Sequence, residues 1–279
     1  MSFRHWFAHR LIAWLIAERP NHVLLDSLAD HDALMRQVLP GDVLLMEGMT
    51  RVGGMIKTIG QSTWSHVALS LGRLEEFPDQ ALLATLKECL GVWPKGPLLL
   101  EVLLGQGAVL KSLEDYRHTH VRLCRPRDIT PHDRTAVVTY ALARVGYGYD
   151  LRQLVDLARF VLPWRVIPRR FRSSLFEHRA GPHTRTVCST LIAEAFQSVG
   201  FPILPILVHT PSGTRWYHRN SRLSMPKDFD LSPFFDVVKV VPASYSHYQT
   251  LVWEAQDTPP ASGSSPPDHY RQTSGPYAG

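Results

Sequence analysis

A single carboxylate, Glu101, stands inside the run Pro97–Leu104, PLLLEVLL. An apolar run of this kind reads as a strand buried on both faces. A charge inside it is costly unless a hydrogen-bond donor meets it. The fold must therefore bring a donor to the middle of a sheet. Two kinds of partner fit: an imidazole on a neighbouring strand, or an Arg in a purely structural pair.

The rest of the sheet is assembled from short segments. Pro40-Gly41 turns the chain into a buried strand over Asp42–Met46, and a glycine-containing connection leads to a second over Trp64–Gly72, WSHVALSLG. Further strands are expected at His120–Cys124 and at 234–241. Helical patterns cover 26–38, 79–91 (closed by Gly91) and Leu151–Leu162. Thr130 and Pro131 open another helix as N-cap and first residue, with Asp133 at the positive end of its dipole and Gly146 past its end. In Val187–Val199, residues Leu191, Ile192, Ala195, Phe196 and Val199 line one face, and Gly200 stops the helix. Short strands first and helices after predict an α+β domain over 38–254. It is preceded by an amphipathic segment, 1–37. It is followed by 255–279, where 12 of 25 residues are Pro, Gly or Ser and disorder is expected.

Composition removes several classes. With 279 residues, 44% of them hydrophobic, the chain can bury a core without staples, and Cys 3 cannot make a disulfide framework. No apolar run is long enough to span a bilayer. The formal charge of +5 favours an anionic partner but falls well short of a nucleic-acid-coating protein, and no nucleic-acid-binding motif is present. That charge is local: 152–185 holds eight Arg and two acids, a net +6. Phosphate or lipid headgroups suit such a stretch, and a solvated face with packed Arg stems is the plainer alternative. The start, Phe3–Pro20, alternates apolar and basic residues at helical spacing. It fits either an interfacial helix or one packed on its own domain. It lacks the apolar stretch and cleavage site of a signal peptide. The expected location is cytoplasmic, with peripheral contact at the inner membrane surface through 3–17 and 152–185.

Chemistry points first to Cys188, at the first turn of the 187–199 helix, where N–H groups and the macrodipole favour a thiolate. A buried core cysteine is the bland alternative. Cys89 and Cys124 sit in ordinary apolar patterns. His66 shares its strand face with Ala68, Ser70 and Gly72, which leaves room for a helix terminus or a substrate. If His66 is the donor to Glu101, the carboxylate fixes the ring's tautomer and stabilises its charged form. Gly146–Asp150, GYGYD, joins two helices and could present Tyr147 and Tyr149 to a cleft, and Asp150 could cap the next helix. The histidines at 118, 120, 178 and 183 lack accompanying metal-site spacing, and no phosphate-cradling or dinucleotide glycine pattern occurs, so neither metal nor cofactor is expected. GxSxG is missing too.

Taken in this order, PGDVLL (40–45), STWSHVALSLG (62–72), Glu101 in its strand, YGYD (147–150) and CSTLIAEAFQSVG (188–200) resemble the circularly permuted papain-like cysteine hydrolases, the YiiX/YebB-like branch of the NlpC/P60 superfamily. His66 precedes Cys188 by 122 positions, the order of the permuted branch. The resemblance covers about 38–205. It implies a small antiparallel sheet or barrel against a cysteine-bearing helix, with Cys188 as nucleophile, His66 as general base and Glu101 as the orienting third member. Tyr149 and Tyr147, with Ser65 and Ser189 flanking the two reacting side chains, are the implied substrate contacts. The expected function is a cysteine-dependent hydrolase or acyltransferase acting on an amide, ester or thioester, with a small acyl or peptide substrate that is lipid-linked or of cell-wall type. A non-catalytic membrane- or anion-binding module that keeps the fold is the alternative.

Overall fold

The computed structural model describes residues 10, 13–17, 30–73, 96–149, 185–241 and 249. The expected helices at 79–91 and 151–162, Cys89, most of the Arg-rich stretch, Asp150 and the 255–279 tail lie outside the described residues.

Six strands form one antiparallel sheet in the order β10-β5-β1-β2-β3-β4. They are β1 (Val43–Met46), β2 (His66–Gly72), β3 (Leu98–Leu103), β4 (Gly107–Ser112), β5 (Val121–Pro126) and β10 (Phe235–Val238). The helices among them are α1 (His31–Gln37), α2 (Arg51–Gly60), α3 (Pro131–Leu142), α4 (Cys188–Gln197) and α5 (Pro226–Leu231). Two short pairs complete the described strands: β6 (Gly148–Tyr149) runs parallel to β7 (Arg185–Thr186), and β8 (Ile206–Thr210) is antiparallel to β9 (Gly213–Tyr217). The chain is thus mixed α+β with an antiparallel sheet.

Alternation along the central strands sorts their side chains between two cores. Val43, Leu45, Val67, Leu69, Leu71, Leu98, Leu100 and Val102 face one side, where α3 and α4 cover them with residues such as Val138, Ala141, Leu191 and Phe196. Phe196 is fully buried and meets Phe235 edge-on at 5.2 Å and Phe201 at 5.4 Å. Such aromatic pairs contribute about 1 kcal/mol each beyond the area they bury. Leu44, Met46, Ala68, Leu99 and Leu123 face the other side, against Leu34 and Val38 at α1 and Leu113 and Tyr116 of a 3-10 turn at Leu113–Tyr116. Because both faces are covered, β1, β2 and β3 are almost wholly buried, as PLLLEVLL requires.

Two departures from the sequence reading have clear causes. The glycine-containing connection after β1 holds helix α2, which the sequence did not indicate and which has glycines at 53, 54 and 60. These glycines weaken its intrinsic propensity but let it pack closely. A Cβ on Gly53 would lie 3.1 Å from the Gly48 carbonyl oxygen, and one on Gly60 would lie 3.2 Å from the Met225 methyl. Thr50 caps the helix by accepting from the Gly53 N–H at 3.1 Å. The second departure is β4, which pairs with β3 along its whole length although GAVLKS carries little strand pattern. The Ala108 N–H donates to the Tyr147 carbonyl at 2.7 Å, and a Cβ on Gly107 would fall 2.1 Å from that oxygen. Glycine is required there for the Tyr147–Tyr149 segment to lie against β4.

At the N-terminus, residues 13–17 rest on the start of α2. Arg51 donates to the Trp14 carbonyl at 3.1 Å and stacks over the Trp14 ring at 5.1 Å. Leu15 is buried there while Trp14 and Ile16 stay exposed.

One ion pair fixes the entry to the sheet. Asp42, fully buried, accepts from Arg125 Nε at 2.9 Å and Nη2 at 2.7 Å, and from the Leu39 N–H at 2.8 Å. It joins the turn before β1 to β5. Removing the acid leaves Arg125 without its counter-charge and the Leu39 N–H without its acceptor. Asp42→Ala is expected to lower stability by about 3 kcal/mol in urea unfolding, whereas a loss below about 1 kcal/mol would make the pair incidental.

Candidate active site

Glu101 has no exposed surface. Its two carboxylate oxygens have separate donors: Oε2 lies 2.5 Å from His66 Nε2, and Oε1 accepts from the Tyr116 hydroxyl at 2.5 Å. The buried acid thus takes an imidazole partner, the first of the two kinds open from sequence. The sheet register explains why. Leu69 pairs with Leu100, so continuing the ladder sets Ala68 opposite Glu101 and His66 one diagonal step away on the same face. The small side chain of Ala68 leaves space for the carboxylate and the ring.

The small residues beside His66 leave room that the sequence opened to a helix terminus or a substrate, and no helix terminus fills it. It belongs to Glu101 and to Tyr116, which packs against the core containing Ala68. Helix α4 lies across the opposite face, on Val67, Leu69 and Leu71. Only its N-terminal tip, with Cys188, reaches the start of β2, where His66 and the Val67 N–H act on the sulfur.

Opposed effects set the charges. Burial works against a thiolate at Cys188. The His66 charge and hydrogen bond, with the backbone N–H groups of Val67 and Ser189, outweigh it and hold the thiol below its ordinary range. Burial likewise disfavours a charged His66, but the Cys188 thiolate and then Glu101 raise its pKa to about 10. Burial would push Glu101 up, yet His66 and Tyr116 bring it below the usual carboxylate range. The Tyr116 phenol is pushed up, by burial and by the carboxylate it serves, so it remains a donor. Together these favour thiolate, imidazolium and carboxylate in a row. With Nε2 engaged by Glu101, Nδ1 is the ring nitrogen left for the sulfur.

Helix α4 adds to this. Its N-cap, Val187, supplies no side-chain cap hydrogen bond, so the first-turn N–H groups keep their capacity for the sulfur or for a ligand anion. Cys188 itself is 8% exposed. Cys124 differs in every respect: it lies in β5, fully buried, and burial pushes its thiol up to about 12.

The four expected substrate contacts fall into two groups. Ser65 and Ser189 do flank His66 and Cys188, but each hydroxyl has a backbone partner. Ser65 accepts from the Gly48 N–H at 2.7 Å, and Ser189 donates to the Ser224 carbonyl at 2.6 Å. Tyr147 is half-buried against the core, and the segment that follows it pairs Tyr149 with Thr186, two residues before Cys188. The 147–149 backbone therefore runs beside the approach to the helix. Tyr116 was missed in the sequence reading. It follows Glu101 by fifteen positions in a 3-10 turn, and no periodicity links the two.

No protein-family model matches this chain, and no curated protein does either. Among solved structures, a match is found to the crystal structure of metalloprotein yiiX from Escherichia coli O157:H7. It shares 12% identity, covers 73% of this chain and 98% of that one, and superposes with a TM-score of 0.46. Among the described residues, no helix is long and apolar enough to cross a membrane.

Cys188 is expected to be alkylated by iodoacetamide with a pH midpoint below that of an ordinary thiol, because His66 and the backbone N–H groups favour its thiolate. His66→Ala removes the counter-charge while burial remains, so the midpoint should rise to about 8.5 or above. Peptide mapping of the modified cysteine checks both. A native-protein midpoint near 8.5, unmoved by His66→Ala, would contradict the coupling.

Proposed function

We propose that this chain is a cysteine-dependent hydrolase or acyltransferase with a circularly permuted papain-like fold, working through Cys188, His66 and Glu101. The observation that carries the reading is the fully buried Glu101 carboxylate, with one oxygen on His66 and the other on Tyr116. A buried acid with two dedicated donors does more than a structural pair needs: it fixes which imidazole nitrogen faces the sulfur.

The chemistry follows from the charges. The Cys188 thiolate attacks the acyl carbon of an amide, ester or thioester and forms a C–S bond as the carbonyl electron pair moves to oxygen. N–H groups at the start of α4 stabilise the oxyanion. As the tetrahedral intermediate collapses, the bond to the leaving group breaks and the His66 imidazolium gives that group its proton. His66, now neutral, takes a proton from water or another acceptor, which attacks the thioester and releases the acyl product and the thiolate. Glu101 stays ionised throughout and stabilises each imidazolium, with Tyr116 holding the carboxylate. Hydrolysis and acyl transfer differ only in the final nucleophile.

The acyl group proposed is that of a lipid-linked or peptide substrate. The Tyr147–Tyr149 segment, whose backbone pairs with Arg185–Thr186 just before Cys188, is the substrate-binding segment of this reading, and the basic stretches 3–17 and 152–185 contribute membrane contact.

Cys188→Ala should abolish both turnover and covalent capture by an activated acyl-ester probe. Glu101→Gln, which keeps the shape but loses the charge, should slow acylation by about 10³-fold. Burst kinetics with the probe and mass mapping of the adduct give the answer. An adduct that persists in Cys188→Ala, or one that forms on Cys124, would overturn the assignment.

A further inference from the structure

The β8–β9 ribbon stands apart from the two cores. Among the described residues its strands pair only with each other, in a register that sets Ile206 opposite Tyr217 and Val208 opposite Arg215 on one side, and Leu207 opposite Trp216 on the other. All five large apolar side chains are exposed, from 41% for Val208 to 59% for Trp216. An isolated two-stranded hairpin is marginal in water, and clustered rather than scattered apolar exposure marks a surface that meets something. The Trp216 ring meets Phe234 edge-on at 6.3 Å, which turns that side toward the domain. Ile206, Val208, Tyr217 and Arg215 are left facing outward.

Charge selects the occupant. Between Glu194 and Asp228 the chain has no acid, but it has Arg215, Arg219, Arg222 and Lys227. Arg219 pairs with Asp228 at 3.2 Å, while Arg215 meets no acid among the described residues. Aliphatic side chains, a tyrosine and an arginine on one face of an acid-free segment match a lipid headgroup boundary. There the aliphatics enter the acyl edge, the phenol stays at the headgroups and the guanidinium takes phosphate oxygens. The tip suits the same setting, because the side chains of Thr210, His209 and Thr214 find partners within the ribbon. Thr210 donates to the Gly213 carbonyl at 2.7 Å, and His209 Nδ1 lies 3.0 Å from Thr214 Oγ1. The strap after the ribbon is tied along α4, with Gln197 donating to the Arg219 carbonyl at 2.8 Å and Ser189 to that of Ser224 at 2.6 Å. The ribbon is thus held in a defined position relative to the cysteine helix.

We propose that the outward face of β8–β9, formed by Ile206, Val208, Tyr217 and Arg215, docks the protein on an anionic phospholipid bilayer. This rests on the ribbon alone and is independent of Cys188 chemistry.

The test uses the full chain and cosedimentation with phosphatidylcholine vesicles, with and without phosphatidylglycerol. Binding is expected only with the anionic lipid and should weaken as salt rises. Ile206→Ser combined with Val208→Ser should weaken it about tenfold, and Arg215→Ser about fivefold. These positions are exposed, so the variants should keep the native unfolding midpoint. The proposal is overturned if the native chain ignores anionic vesicles or if both variants bind as it does. It is also overturned if sedimentation equilibrium shows a dimer that the paired Ser variant dissolves while no vesicle binding is seen, since the occupant would then be a second copy.

Discussion

A carboxylate with no access to water sits in the middle of a sheet, and the arrangement around it follows from the need to keep it ionised. Stranding an unpaired charge in such a place costs several kcal/mol. Glu101 avoids that cost because Ala68 is small enough to admit the His66 ring diagonally and because the 3-10 turn after β4 delivers the Tyr116 hydroxyl. Both donors come from elements fixed by other interactions. His66 begins a strand held on one side by β1, and Tyr116 packs into the second core. The supports of the site therefore belong to the sheet and its core.

The cysteine reaches this array from the opposite face of the sheet. Helix α4 buries one side against Val67 and Leu69, so its axis is set by packing and its first residue arrives at the end of β2. The sulfur therefore meets the imidazole where the strand begins and side chains from both faces can converge. Around that end runs a separate polar chain. Lys57 pairs with Glu47 at 2.7 Å and Glu47 with His120 at 3.2 Å. Trp64 lies between the His120 ring and Arg122, and both Trp64 and Arg122 reach Asp230. It binds α2 and α5 to the sheet.

Much of this was legible in the residues, and the parts that were not share a cause. Strands β1, β2 and β3 and helices α3 and α4 carry strong periodicity and clear caps, and they lie where the pattern set them, within a few residues. Cys188, His66 and Glu101 stood out because each broke a local rule: a polar group in an apolar run, or a cysteine at a helix start. Helix α2 did not stand out, since its glycines lower its helical pattern and serve close contacts, one of them with the sequence-distant Met225. Strand β4 is defined by its partner rather than its composition. Tyr116 was invisible for the same reason: a tyrosine in a short polar turn has no signature until the turn is folded against its acid. The serines at 65 and 189 show the converse. They neighbour the right residues in sequence, yet their hydroxyls hold backbone.

The central claim is that His66 is charged because Cys188 is, in a pair anchored by Glu101. Imidazole nitrogen shifts of His66, followed by NMR across pH in the native protein and in Cys188→Ser, test it directly. The native ring should remain an imidazolium until about pH 10. In Cys188→Ser, without the thiolate, it should lose its proton well below that. A ring that titrates near 6.5 in both proteins would show that sulfur, imidazole and carboxylate do not act as one array.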